Sequence, residues 1–280
     1  MTVEIATAAG HYDLLDRINT FVTTALPVAE RWVVQRMTLT GTNREVLWKA
    51  PGMSGGEEIY INLGTYESIP SDYYNFKLNV ATGYLLSNTF ETQPGTCTTM
   101  GVPLWNNAIP YWMVGNGQRL IVIAKIENVY QTFSFGKYLP YATPSQYPYP
   151  VYCLATLHTA SATRYSEVSH YSGFKGTCSH FKIRDAAGVW IQPDVYPYAG
   201  STQLRNTISS SETAEGYYGI HSLVLSTPTP NVYGELQGLY YISGFNNAAE
   251  NVITTSGKSY VVLRDVWRTG FNDYCILELS

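Results

Sequence analysis

The stretch Tyr138-Leu139-Pro140-Tyr141-Ala142-Thr143-Pro144-Ser145-Gln146-Tyr147-Pro148-Tyr149-Pro150 excludes more folds than any other part of the chain. Its four prolines each fix φ and remove a backbone donor, so neither a helix nor a central strand passes through it. What remains is a stiff, extended or turned arm that displays Tyr138, Tyr141, Tyr147 and Tyr149. Tyrosine rings offer large amphipathic contact area and lose little entropy when a partner immobilises them. Such a display suits a surface that meets other protein. The plainer alternative is a long loop folded back on its own domain.

Strand and turn signals surround this arm. Trp32–Leu39 and Glu45–Lys49 flank Gly41-Thr42-Asn43 as a hairpin, and Glu58–Leu63, Asn75–Val80 and Tyr84–Phe90 read as further strands. Tyr111–Val114 and Gln118–Lys125 meet at the turn Gly115-Asn116-Gly117, and Ile126–Phe135 follows as a partner. Leu120-Ile121-Val122-Ile123-Ala124 is apolar on both faces, the mark of a central strand. Beyond the arm, Val151–His158, His180–Arg184, Val189–Gln192, Tyr240–Ile242, Tyr260–Arg264 and Tyr274–Leu279 are expected strands. Residues 209–216 are polar and expected to be mobile, and Thr227-Pro228-Thr229-Pro230 reads as a stiff turn. One helix is expected, about His11 to Ala25, with Leu14, Leu15, Ile18, Phe21 and Val22 on its buried face.

The expected class is therefore mainly β: sandwich or barrel-like lobes, one N-terminal amphipathic helix and long Tyr/Pro-rich loops. The expected division is an N-terminal helix with a first β lobe over 1–137, a bridging arm over 138–150 and a second lobe over 151–280. One continuous domain is the alternative.

Charged residues make up 14% of the 280 residues, against about 25% in an ordinary soluble domain. Tyrosine appears 24 times. Interfaces deplete charge and enrich aromatics, so the shortfall points to an exterior covered by neighbouring subunits. A net charge of −4 argues against a nucleic-acid partner, which calls for a basic stripe. The N-terminus lacks a basic region followed by an apolar run, and no stretch reaches the length that spans a bilayer, so neither a targeting signal nor a membrane is expected. Cys97, Cys153, Cys178 and Cys275 are scattered, and read as reduced, core-filling residues of a cytosol-made chain.

Chemistry-bearing patterns are weak. His158, His170 and His180 share a short window with Cys153 and Cys178, but Cys178-Ser179-His180 is too tight for a zinc finger or ribbon. Gly52-Met53-Ser54-Gly55-Gly56 has Gly-x-Ser-x-Gly spacing but reads as a glycine-rich turn and not as a strand-to-helix elbow, and P-loop and dinucleotide fingerprints are absent from the sequence. Asp185, Asp194, Asp265 and Asp273 are carboxylates that glycoside hydrolysis could use, although aspartates beside turns usually shape the turn. The chain is thus read as non-enzymatic, with no catalytic, cofactor-binding or metal-ligating residue to assign. Phe181-Lys182-Ile183-Arg184-Asp185 and Val262-Leu263-Arg264-Asp265-Val266-Trp267-Arg268 both end a strand with Arg-Asp. Arg–carboxylate pairs there pin loops within the chain or, across a boundary, fix register beside Trp190 or Trp267. The interface candidates are Tyr138, Tyr141, Tyr147, Tyr149, Trp190, Arg264, Trp267 and Arg268.

Residues 139–150, Tyr241-Ile242-Ser243-Gly244-Phe245-Asn246-Asn247 and Arg264-Asp265-Val266-Trp267-Arg268-Thr269-Gly270-Phe271 resemble motifs of virion structural proteins of tailed bacteriophages. Tyr12-Asp13-Leu14-Leu15 and Ser71-Asp72-Tyr73-Tyr74-Asn75 resemble the same group. The resemblance implies a particle component of the tail, baseplate or neck, assembled in the host bacterial cytoplasm and residing in the virion. Its implied partners are copies of itself in a ring or sleeve and other virion proteins. It implies no catalytic residues. A carbohydrate- or receptor-binding tail-tip protein, a depolymerase and a capsid decoration protein are the alternatives.

Overall fold

The structure is a computed structural model that describes residues 1–52, 59–143, 149–167, 170–176, 179–199, 219–227 and 231–279. The chain opens with β1 (Thr2–Ala8) and α1 (His11–Thr20). β2 (Val33–Thr38), β3 (Glu45–Ala50), β4 (Ile59–Ser68), β5 (Tyr73–Ala81) and β6 (Met100–Leu104) then form a five-stranded antiparallel meander. β7 (Ile109–Gly115), β8 (Arg119–Ile126) and β9 (Val129–Lys137) begin a second sheet, with β1 returning to pair with β7. After the two-residue β10 (Leu139–Pro140), β11 (Val151–Leu154), β12 (Phe181–Arg184) and β13 (Trp190–Ile191) extend that second sheet beyond β9. The third sheet holds β14 (Asp194–Tyr196), β15 (His221–Ser226), β16 (Val232–Tyr241), β17 (Val252–Thr255), β18 (Lys258–Arg264) and β19 (Tyr274–Glu278).

The three sheets make three layers, with the sheet containing β8 in the middle. Leu120, Val122 and Ala124 face a core shared with α1 and the β2–β6 sheet. Ile121 and Ile123 face a second core shared with Leu223, Leu225, Leu236, Val261, Leu263 and Leu277 of the third sheet. The two-faced apolar run of β8 is a consequence of strand geometry: side chains alternate, and here both faces are buried. β9 and β11 split in the same way, Phe133, Phe135, Val151 and Cys153 to one core and Tyr152 and Leu154 to the other.

The mainly β class, the layered sheets and the N-terminal helix, the one α-helix among the described residues, agree with the sequence reading. Leu14, Leu15, Ile18, Phe21 and Val22 are all buried. The α-helix is shorter than expected, because a π-helical turn takes over at Phe21–Ala25. Thr20 and Thr23 hydroxyls bond back to the carbonyls of Asp16 and Asn19 at 3.0 and 2.7 Å, competition that loosens a helix at this kind of position.

Tyr84–Phe90, expected as a strand, is a loop wound around the buried Gln93 amide. Gln93 Nε2 donates to the carbonyls of Leu85, Asn88 and Thr89 at 3.2, 3.1 and 3.1 Å, and Oε1 accepts from Leu85 N–H at 2.8 Å. One side chain thus satisfies backbone groups that a strand would pair with a neighbour. The arm joins β9 to β11, adjacent strands of one sheet, while its first residues pair with β16 of the third sheet. Strands β1, β6, β14, β15 and β17 add to the expected set. Residues 209–216 and the prolines of the 227–230 turn lie outside the described residues.

Candidate interaction surface

The arm is closed at its base. Tyr138 N–H donates to Pro150 O at 3.0 Å, which continues the β9–β11 pairing and brings the two ends together, as in an Ω-loop. Its first residues lie along the third sheet: Leu139 pairs with Glu235 and Pro140 with Gly234 of β16. Tyr141 N–H donates to Tyr233 O at 3.0 Å. Pro140 is tolerated because the segment is an edge with nothing required of its missing donor.

The arm's tyrosines divide into different fates. Tyr138 is fully buried in the core between the middle and third sheets, its hydroxyl 3.4 Å from Arg184 O, so it is a core residue and not a contact residue. Tyr141 is 57% exposed, and its hydroxyl donates to Glu235 Oε2 at 3.3 Å. Burial and the neighbouring Glu235 carboxylate raise the Tyr141 pKa, so the ring stays neutral. Tyr149 is 39% exposed, with the Arg184 guanidinium 5.6 Å from its ring centre. Tyr147 lies outside the described residues. Leu139, Val189 and Val232, none of them singled out by sequence, are exposed on the segments that the arm touches. Val189 belongs to the Asp185–Val189 turn that follows Arg184; Asp185 Oδ1 accepts Val189 N–H there at 2.8 Å. Exposed apolar side chains thus stand on the arm, on the start of β16 that it pairs with and on the turn after Arg184, each segment held by backbone hydrogen bonds.

Trp190, Arg264 and Arg268 act within the chain. The Trp190 indole packs on the core and donates to Gly95 O at 2.9 Å, tying β13 to the loop before β6. Arg264 Nη2 donates to Asn128 O at 2.6 Å, and its guanidinium stands 5.2 Å from the Tyr130 ring centre. Arg268 Nη1 donates to His170 O at 3.0 Å, and the guanidinium stacks 3.6 Å from Tyr171 and 4.8 Å from Trp267. All three contacts pin loops through backbone carbonyls and not through the Arg–carboxylate pairs expected at the Arg-Asp motifs. Trp267 is 42% exposed and lies beside this stack, with Tyr171 and Phe271 also exposed.

Beneath the stack lies a cluster that sequence reasoning did not assemble. Asp265 is fully buried, and its Oδ1 accepts Ser172 N–H at 2.6 Å. Its Oδ2 stands 3.4 Å from Lys175 Nζ and 3.6 Å from Arg268 Nη1. Lys175 Nζ also bonds to Asp273 Oδ1. Burial raises the Asp265 pKa, against the opposing pull of Lys175, the Ser172 amide and Arg268. Asp265 and Asp273 were visible as candidate carboxylates, but Lys175 carries no motif and joins them only through the fold. Asp185 is a turn residue. Among the histidines, His158 and His180 stack at 5.8 Å, whereas His170 Nε2 meets Gln131 Nε2 at 3.0 Å.

A separate cleft of about 360 Å³ opens at the start of α1, with His11, Tyr12, Glu67, Tyr74 and Asn106 among its walls. His11 Nε2 lies 2.9 Å from Glu67 Oε2 at its floor. No helix among the described residues is long and apolar enough to cross a membrane. Compared with protein-family models and with curated proteins, the sequence matches none.

Proposed function

We propose that this chain is a non-enzymatic structural component of a tailed-phage virion, in the tail, baseplate or neck. On this reading it is assembled in the bacterial cytoplasm and contacts copies of itself and neighbouring virion proteins. The observation that carries the reading is that Tyr141, Tyr149 and Leu139 of the arm stand exposed on backbone hydrogen-bonded to neighbouring strands. Rigid aromatic and aliphatic side chains of this kind are what anchor protein interfaces, because little conformational freedom is lost on contact. The low charge content supports the same reading. Closed symmetric assembly would place this edge against a second patch on a neighbouring copy.

The test is the double variant Tyr141→Ala/Tyr149→Ala. Both rings are exposed, so thermal melting should shift little. Self-association by light scattering, and incorporation into particles when supplied in trans, should fall at least tenfold. Unchanged association and incorporation would refute the reading. A second reading, a carbohydrate-binding tail-tip protein, draws on one observation: Trp267 is exposed and braced by Arg268, a platform on which a sugar ring could stack. Glycan-array binding that is lost in Trp267→Ala but kept in the tyrosine variant would favour it.

A further inference from the structure

The geometry points to an intramolecular isopeptide bond between Lys175 Nζ and Asp273 Cγ, with Asp265 as the group that moves the proton. The inference is independent of the assembly reading above.

Lys175 ends the short turn Gly173–Lys175, anchored by the fully buried Phe174. Gly176 follows in the left-handed region at φ 65°, where an added Cβ would stand 2.6 Å from Val195. The backbone that carries the amine is therefore held in place. Asp273 is held as firmly. Its N–H donates to Gly270 O at 2.9 Å, and its carbonyl accepts Asp265 N–H at 2.7 Å. The carboxylate is also polarised: Oδ2 accepts Gly270 N–H at 2.9 Å while Oδ1 meets the lysine. An amide donor on one carboxyl oxygen is what stabilises charge building there during attack on the carbon.

The third partner is Asp265. It is fully buried, and Oδ2 makes no hydrogen bond although it lies 3.4 Å from Lys175 Nζ. Arg268 Nη1 stands 3.6 Å from the same oxygen, so Oδ2 is balanced by charge without a hydrogen bond. Burial raises the Asp265 pKa, which suits a group that must alternately give and take a proton.

The reaction is a condensation without redox change. A proton passes within the pair from the Nζ ammonium to the Asp273 carboxylate, giving amine and acid. The Nζ lone pair attacks Cγ and forms the C–N bond. Asp265 takes one of the two remaining Nζ protons and delivers it to the departing Oδ1 hydroxyl. The Cγ–Oδ1 bond breaks, one water leaves, and a neutral amide replaces two partly buried charges. Removing those charges relieves desolvation that the ion pair itself offsets only in part. Fixed placement of amine and acid replaces a bimolecular encounter, which supplies much of the barrier lowering.

Intact-mass spectrometry of the denatured full chain tests this. The expected mass is lower than the sequence requires by one water, and trypsin should release a branched peptide joining the Lys175 segment to the Asp273 segment. Lys175→Arg keeps the positive charge but should restore the full mass, and Asp265→Asn should do so while circular dichroism remains native. A full mass for the unsubstituted chain overturns the proposal. So does a missing water that persists in Lys175→Arg, since the loss then arises elsewhere, or a branched peptide mapped to Asp265.

Discussion

His11 shows how a single buried side chain sets the response of the fold to acid. Its imidazole lies between the Tyr12 and Tyr74 rings, 4.0 and 5.5 Å away, with Glu67 2.9 Å from Nε2 and Arg44 also acting on it. Burial lowers its pKa from 6.5 to about 4, and the Glu67 carboxylate opposes that shift without overcoming it. With the ring neutral, the close contact to Glu67 is not an ion pair at neutral pH. His170 is also lowered to about 4, by burial first and by Arg268 second. A histidine with a depressed folded pKa leaves the unfolded chain binding more protons below its ordinary value. Its contribution is complete above about pH 6.5 and is lost as pH falls toward 4. Each histidine should cost on the order of 2 kcal/mol across that window. The urea midpoint should therefore drop between pH 7 and pH 4.5, and His170→Gln should flatten the slope. A midpoint that holds constant over this range would contradict the assignment.

At the scale of elements, the arm is docked by one close backbone approach. Gly234 faces Pro140 across the β10–β16 pair, and a Cβ added there would stand 2.0 Å from Leu139 O. Backbone cannot yield as a flexible side chain can, so Gly234→Ala must push the arm off β16. Overpacking of this kind costs about 1–3 kcal/mol. The expected outcome is a matching loss in Tm and faster limited proteolysis within 139–149, with the layers intact by far-UV circular dichroism. An unchanged cleavage pattern would mean that the arm is held by something other than this pairing.

For the whole molecule, the middle sheet makes the two cores interdependent. Ile121 and Val122 are neighbours in β8 yet face opposite cores. Ile121→Ala and Val122→Ala should each open a cavity and cost about 2–4 kcal/mol. Because both cores share β8, either change should lower one common transition. Tryptophan fluorescence and far-UV circular dichroism should then give coincident urea curves for both variants. Separate transitions, each sensitive to one variant only, would show that the layers unfold independently.

The two-faced burial of β8, the apolar stripe of α1 and the hairpin turns at residues 41–43 and 115–117 were legible in the sequence, because each depends on local torsions and alternation. Over the described residues of the arm, its exclusion from helix and central strand was equally legible, since proline acts on its own backbone. Which arm tyrosine is buried was not. Tyr138 enters a core, whereas Tyr141 stays outside, and that is decided by the closing bond to Pro150 and the pairing with β16. Tyr84–Phe90 misled because a single amide, Gln93, outcompeted strand pairing. The Lys175–Asp273 contact joins residues 98 positions apart. Long-range pairing of sheets sets such encounters, and no local pattern encodes them.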